Sequence, residues 1–240
     1  MSAQIVIILL VALAVIALVG AAWWLLITTE GVYLGQHVVV WLYDLYASRY
    51  DNIKQFQPEY DLILLASPIM GEIAPKQDPL VLDVATGTGR LPQVLSSHPH
   101  FAGKIIAADL SRKMLGLAVE KLKDRGDQIQ YVRCPAEKLP FADNTFDVVT
   151  CLEALEFTGD PALALREIVR VLRPGGLLLI TNRINVRMPG RLWTDDELHA
   201  LLESYGVGIA QTEPWQTDYH RVWGVKDLDD YSDYIDEPEV

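Results

Sequence analysis

Ten residues constrain this chain more than any others: Val81-Leu82-Asp83-Val84-Ala85-Thr86-Gly87-Thr88-Gly89-Arg90. A short apolar run ends in an acid and a turn holding two glycines one residue apart. A segment of helical character, Leu91 to Ser97, follows. Glycine at such a turn lets the backbone approach a ligand with no Cβ in the way. An apolar strand, a glycine turn and a helix N-terminus form the first half of a nucleotide-binding βαβ unit. The stretch therefore predicts a nucleotide-like ligand.

The rest of the chain alternates in the same sense. Strands are predicted at Leu80–Ala85, Lys104–Asp109, Ile129–Arg133, Phe146–Cys151, Leu177–Thr181, Val207–Thr212 and Tyr219–Val225. Helices are predicted at Ser111–Arg125, Pro161–Leu172 and Asp195–Ser204, the last capped by Thr194. This order implies an α/β fold, a Rossmann-like, doubly wound and mostly parallel seven-stranded sheet. Upstream, Val38 to about Met70 has an amphipathic helical pattern interrupted near Pro58 and Pro68, and Pro75–Pro79 is a linker.

A second feature is the apolar N-terminus. Ile5–Ile27 is a run of 23 residues with no charge. As a helix it is roughly 35 Å long, against a hydrocarbon core of about 30 Å. Trp23 and Trp24 stand near its end, where an interfacial aromatic belt lies. A cleaved signal peptide is the rival, yet it needs a basic leader, which Met1-Ser2-Ala3-Gln4 lacks; Gly20-Ala21-Ala22 is the nearest approach to a cleavage patch. The expectation is one transmembrane helix ahead of the sheet domain. The chain then divides into an anchor (1–28), a linker with helices covering the cofactor (29–79), a sheet domain (80–226) and an acidic tail (227–240).

Net charge is −12, and seven of the 32 acids fall in 227–240 with no base among them. Nucleic acid as a partner is disfavoured, because phosphate binding needs a basic face. The two cysteines, Cys134 and Cys151, suit reduced core thiols, and the five histidines show no metal-ligand spacing, so no metal is expected.

The glycine turn excludes two common nucleotides. A dinucleotide fingerprint needs a small third residue, but Gly87-Thr88-Gly89-Arg90-Leu91-Pro92 places proline there. An ATP loop needs G-K-[ST] after the glycines, and none follows.

The wider constellation resembles the class I S-adenosylmethionine-dependent methyltransferases, above all the branch that includes the ubiquinone/menaquinone C-methyltransferases. The resemblance spans about residues 40–226. Leu82–Gly89 is similar to that family's first motif. Ala107-Ala108-Asp109-Leu110-Ser111 with Met114-Leu115 is similar to its second, and Ala136-Glu137-Lys138-Leu139-Pro140-Phe141 to its third. Phe146-Asp147-Val148-Val149 resembles the fourth, and Arg170–Gly176 the turn before strand five. Tyr43–Asp51 is similar to the helix that helps cover the cofactor.

The resemblance implies S-adenosyl-L-methionine as cofactor and assigns roles. Asp83 would attract its ammonium. Ala85, Thr86, Gly87 and Gly89 would border its methionine part. Asp109 would take both ribose hydroxyls with its two carboxylate oxygens. Leu110 and Met114 would sandwich the adenine, with Ala136, Glu137 and Leu152 around it. Cys134-Pro135 stands where the family carries Gly-Asp, so the acid that receives the adenine amino group is missing, and proline has no amide to offer instead.

Methyl transfer from a sulfonium asks mainly for proximity and orientation. If the nucleophile must lose a proton, Glu153 and Glu156, just beyond strand four, are the candidate catalytic bases. Tyr43, Tyr50 and His37 are placed on the substrate side, and Arg183, Arg187 and Arg191 are candidates for meeting an anionic group. The reading is a membrane-anchored methyltransferase acting on a small amphiphilic acceptor (quinone, isoprenoid or lipid-like), with its domain on the cytoplasmic side of the cell membrane. The alternative is an accessory subunit of a membrane complex that has kept the fold and lost turnover.

Overall fold

The computed structural model describes residues 2–185, 187–189 and 193–228. Val186, Arg191 and the acidic tail from Asp229 onward lie outside the described residues, so the expectations for Arg191 and the tail concern positions the structure does not cover.

The first helix, α1 (Ala3–Trp23), continues as a π-helical turn through Thr28. None of α1 is buried, and Ala3–Thr28 is long and apolar enough to cross a membrane by length and composition. A short link leads into α2 (Gln36–Tyr46), α3 (Tyr50–Lys54), α4 (Pro58–Asp61) and α5 (Ser67–Glu72). Pro58 opens α4, as its missing amide allows. Pro68 breaks nothing: it sits in the first turn of α5 behind a π-helical turn, Leu62–Ala66, and the Ser67 hydroxyl donates to the Leu62 carbonyl at 2.9 Å. The predicted break there is a local widening of a continuous helical path.

The sheet domain runs β1 (Leu80–Val84), α6 (Arg90–Leu95), β2 (Lys104–Asp109), α7 (Arg112–Lys121), β3 (Ile129–Arg133), β4 (Phe146–Cys151), α8 (Pro161–Val171), β5 (Leu172–Arg183), α9 (Asp195–Ser204), β6 (Val207–Trp215) and β7 (Tyr219–Lys226). The strands form one sheet in the order β3-β2-β1-β4-β5-β7-β6. The first five are mutually parallel, and β7 runs antiparallel to both β5 and β6. This is the predicted doubly wound, mostly parallel architecture.

Alternation along the strands builds two cores, one on each face. Leu82 and Val84 point with Val149 and Cys151 toward Leu165 and Ile168 of α8 and Leu198 of α9. Val81, Ile105 and Val148 point the other way, toward Leu91 and Leu95 of α6 and Ile69 of α5. Helix caps follow the sequence: the Thr194 hydroxyl and Glu197 carboxylate form a capping box on α9, and the Ser111 hydroxyl accepts from the Met114 amide to start α7. Some boundaries differ from expectation, among them the end of β6, which runs three residues past the predicted Thr212 to Trp215. Helix α7 stops at Lys121, and Lys123–Gln128 winds as a 3₁₀ segment around Gly126. Strand β5 begins at Leu172, with Pro174-Gly175-Gly176 absorbed as an irregularity between the Phe146–Leu172 and Val148–Leu177 pairs. Proline and glycine there mark a bulge and not a free turn.

Because β2 lies to one side of β1 and β4 to the other, the strand order reverses between β1 and β4. Crevices of parallel sheets open at such a point, beyond the carboxyl ends of the strands.

Candidate active site

A cleft opens at that switch point. Its floor is Ala85 and Gly87 after β1, Asp109 at the end of β2 and Leu152–Ala154 after β4. Its roof is α2, through Val39, Val40 and Tyr43, with Tyr50 of α3. One end is apolar, lined by Leu110, Met114, Cys134, Ala136 and Leu139. Burial pushes the Cys134 thiol up to about 11, and the Asp109 charge adds to this, so the group is a neutral wall. A smaller recess continues from the other end over Asp83, Thr86 and Thr88.

The turn that makes the floor is held by strained but well-partnered backbone. Ala85, Gly87 and Gly89 all have positive φ, at 57°, 56° and 81°. A side chain at Gly87 would meet nothing closer than Tyr50 at 3.8 Å, so this glycine leaves open space at the cleft. Gly89 differs. A Cβ there would lie 2.9 Å from Leu122 and 3.3 Å from Ala118, so Gly89 serves the packing of α7 and stands outside the cleft lining. Ala85 holds a left-handed conformation that costs an L-residue roughly 1–2 kcal/mol. Ala85→Gly is therefore expected to raise unfolding free energy by about 0.5–1 kcal/mol, read as a higher denaturant midpoint with unchanged slope.

Asp109 ties the turn together. One carboxylate oxygen accepts from the Gly87 amide at 2.8 Å and the other from the Ser111 amide at 2.8 Å. Burial raises its proton affinity, and the backbone donors partly offset this. Each carboxylate oxygen keeps acceptor capacity toward the cleft. The lip thus sets a charged acceptor beside an apolar wall that includes Leu110 and Met114.

Asp83 is 3% exposed, and both its oxygens accept hydroxyl donors, Thr86 at 2.6 Å and Thr150 at 2.7 Å. Burial pushes its pKa up to about 6 despite those bonds. The folded pKa exceeds the unfolded one, so the folded chain holds a proton that the unfolded chain has released between about pH 4 and pH 6. Stability should fall as pH rises through that window, by on the order of 2–3 kcal/mol from this group. Asp83→Asn should flatten the decline in thermal scans between pH 4 and 7.

The two candidate bases are placed differently from expectation. Glu153, itself at φ 54°, lines the cleft, but both its oxygens are taken. Lys54 donates to one at 3.0 Å; Arg90 at 2.8 Å, Gln216 at 2.8 Å and the Trp215 indole at 3.3 Å donate to the other. Burial would raise its pKa, but Lys54 and Arg90 outweigh it and hold the carboxyl below the usual range. Glu153 is thus an ionised clamp and a poor proton acceptor. Glu156 lies behind the cleft wall, 3% exposed, accepting from the Tyr219 hydroxyl at 2.5 Å with Arg183 at 3.4 Å. It does not line the cleft, although Phe157 next to it does.

Glu137 also faces away. It accepts from Gln36 at 3.0 Å and from the amides of Gly159 and Asp160, so it joins α2 to the start of α8. His37 and Arg187 are exposed, and Arg183 is buried against Glu156. The cleft thus gathers Ala85, Gly87, Asp109, Leu110, Met114, Ala136, Leu152, Glu153, Tyr43 and Tyr50; the recess adds Asp83 and Thr86; Gly89, Glu137 and Glu156 stand outside. Gln36, Val39 and Phe157 were not among the expected residues. For Val39 a signal existed in the sequence, since the apolar spacing Val39-Leu42-Tyr43 marks one helix face.

The cap is fastened by charge. Asp61 receives a two-pronged bond from Arg90 at 2.7 and 2.9 Å. Asp51 pairs with Lys121, and Asp44 accepts from Ser111. Among the described residues no group of histidine, cysteine or carboxylate side chains is arranged to hold a metal ion.

Comparison with known proteins agrees with this geometry. Residues 82–180 match the methyltransferase domain family model. Over 102 residues the chain is 45% identical to the ubiquinone/menaquinone biosynthesis C-methyltransferase UbiE of Idiomarina loihiensis, which covers 42% of this chain and 41% of that protein. The chain thus spans about two fifths of the length of the curated relatives it matches. Among solved structures, an S-adenosylmethionine-dependent methyltransferase from Aquifex aeolicus superposes with TM-score 0.59 at 24% identity, covering 72% of this chain and 95% of that one. The [4+2]-cyclase SpnF superposes with TM-score 0.68 at 18% identity, covering 81% and 97%. At these identities the structural likenesses speak to the fold alone. Sheet order, cleft and family match thus agree: the fold is that of the solved methyltransferase structures, and residues 82–180 match the methyltransferase domain family.

Proposed function

We propose that this chain is a membrane-anchored methyltransferase that binds S-adenosylmethionine in the cleft and methylates a small amphiphilic acceptor of quinone-like chemistry. The observation that carries the reading is the Asp109 lip: a carboxylate bridging the Gly87 and Ser111 amides beside an apolar slot. Bound there, the cofactor would supply an electrophilic methyl group. Asp109 would hold the ribose hydroxyls, Leu110 and Met114 the two adenine faces, and Ala85 and Gly87 the methionine backbone, with Asp83 beneath.

The chain's part in the reaction is then orientation and exclusion of water, which can be worth roughly 7–11 kcal/mol of barrier. Tyr43, Tyr50 and Phe157 close the acceptor side with ring contacts at 6.0 and 5.8 Å. Burial keeps both tyrosines protonated well above their ordinary range; the Tyr43 hydroxyl donates to Glu30 at 2.8 Å, which leaves Tyr50 to donate to an acceptor oxygen. Glu153 is committed to Lys54 and Arg90. An acceptor whose own acidic hydroxyl activates the neighbouring carbon suits such a site, because it asks little of a protein base. The relatives' C-methyltransferase name supports the same class.

The anchor reading rests on Ala3–Thr28, which is long and apolar enough to span and has no buried residue in α1. With the cofactor made in the cytosol, the sheet domain is assigned to the cytoplasmic side. The test is incubation of the full chain with methyl-labelled cofactor and a membrane lipid extract, read by mass spectrometry. Label in an extractable quinone-like product is the expected result. Label only in polar metabolites would overturn the acceptor class, and cofactor binding with no labelled product would favour the accessory-subunit alternative.

A further inference from the structure

We infer that the outward face of α2 lies in the headgroup zone of the same bilayer that α1 enters, so that the roof of the cleft is also its membrane-facing wall. The inference rests on the anchor reading above. Helix α2 turns Val39 and Leu42 inward, both 6% exposed. Its opposite stripe, at i, i+4 spacing, is His37, Trp41 and Leu45. Trp41 is 58% exposed and Leu45 56%, and Leu34 just upstream is 45% exposed. A soluble helix normally presents charged or polar side chains on that side. Tryptophan and leucine flanked by a histidine and, one turn on, Arg49 form the mixed face that suits a water–lipid boundary.

The occupant follows from where α2 is attached. Seven residues separate Thr28 from Gln36, a span of about 25 Å at most if fully extended, and here the link is folded back. The Gly31 amide donates to the Leu25 carbonyl at 2.9 Å, and Trp24 stacks on Tyr33 with ring centres 5.2 Å apart and planes 15° apart. A side chain on Gly31 would meet Leu42 at 2.9 Å and Val38 at 3.0 Å, so α2 is pressed onto the end of the anchor. Thr29 at the junction is fully buried. The exposed stripe is thereby held beside the point where the anchor leaves the hydrocarbon. Since Val39, Val40 and Tyr43 of the same helix line the cleft, a single helix would separate cleft from lipid, and an amphiphilic acceptor would reach the cleft past α2 without crossing bulk water.

Depth-resolved fluorescence quenching on the full chain in phosphatidylcholine vesicles tests this. Both native cysteines are buried, so an introduced cysteine takes the dye selectively. Dyes are placed by Leu45→Cys on the stripe, Ala14→Cys within α1 and Glu120→Cys on exposed α7, with Trp41→Cys as a second probe of the stripe. The expected result is loss of fluorescence at 45 and 41 to headgroup nitroxides, at 14 to deep-chain nitroxides, and none at 120. Quenching at 14 with the stripe as unquenched as 120 overturns the inference and leaves the anchor standing. No quenching at 14 overturns the anchor reading and this inference with it. Energy transfer between stripe dyes on different chains, without lipid quenching, would assign the face to a second copy and overturn the lipid assignment.

Discussion

Replacing Asp109 by alanine is expected to abolish measurable cofactor binding while leaving the fold intact. The side chain sits at the end of β2 with its two oxygens already positioned by the Gly87 and Ser111 amides. Each hydrogen bond that a hydroxyl makes to an ionised carboxylate is worth about 1.5–3 kcal/mol. Two of them lost together lower affinity by roughly 10²–10⁴-fold. Asp109→Asn keeps one acceptor oxygen and should lie between. Circular dichroism of both variants should match the parent, because neither core passes through Asp109. Calorimetric affinity of Asp109→Ala within threefold of the parent, which is within about 0.65 kcal/mol, would show that the ribose end is held elsewhere.

The second large effect is expected at Glu153, and it is one of stability. Its side chain is 5% exposed and faces Arg90, 14% exposed, and Lys54, 31% exposed. Removing one partner of a buried pair leaves an uncompensated charge, a loss of about 3–5 kcal/mol; Lys54, nearer solvent, contributes the smaller share. Glu153→Ala should thus lower the thermal midpoint sharply and loosen the cap, since Arg90 also holds Asp61. Glu153→Gln retains acceptor and packing and should recover part of the loss. If Glu153 were the catalytic base, Glu153→Gln would instead keep stability and remove the acidic limb of the pH–rate profile. The two accounts separate on that comparison.

The sequence was informative wherever function depends on what a residue's neighbours in the chain force upon it. The alternation of strands and helices gave the sheet, because each strand's period of two and each helix's cap are local. The same holds for the cleft: a residue that follows a parallel strand must emerge at the carboxyl edge, so Ala85, Gly87, Asp109, Leu110 and Leu152 could be placed from order alone. Side-chain direction is not local. Glu137 follows β3 as the family's pattern suggests, yet its oxygens are taken by Gln36, 101 positions earlier, and by the Gly159 amide, 22 positions later. Glu153 meets Lys54, Arg90 and the Trp215-Gln216 pair from three separate segments. Gly89 has the spacing of a ligand-facing glycine, but Ala118 and Leu122 occupy the space its side chain would need. Pro174-Gly175-Gly176 carries turn chemistry, and the pairing of Phe146 with Leu172 turns it into a bulge inside β5.

The apolar end of the cleft explains how adenine could be held without the acid that Pro135 replaces. Leu110, Met114, Cys134, Ala136 and Leu139 offer contact on its faces and edge.

The central claim is that the cleft between β1, β2, β4 and α2 takes S-adenosylmethionine. Isothermal calorimetry of the full chain in lipid nanodiscs, titrated with S-adenosylmethionine, tests it most directly. The account predicts a saturable binding heat in the parent that disappears in Asp109→Ala. A folded parent that gives no binding heat, or an Asp109→Ala variant that binds as the parent does, would contradict it.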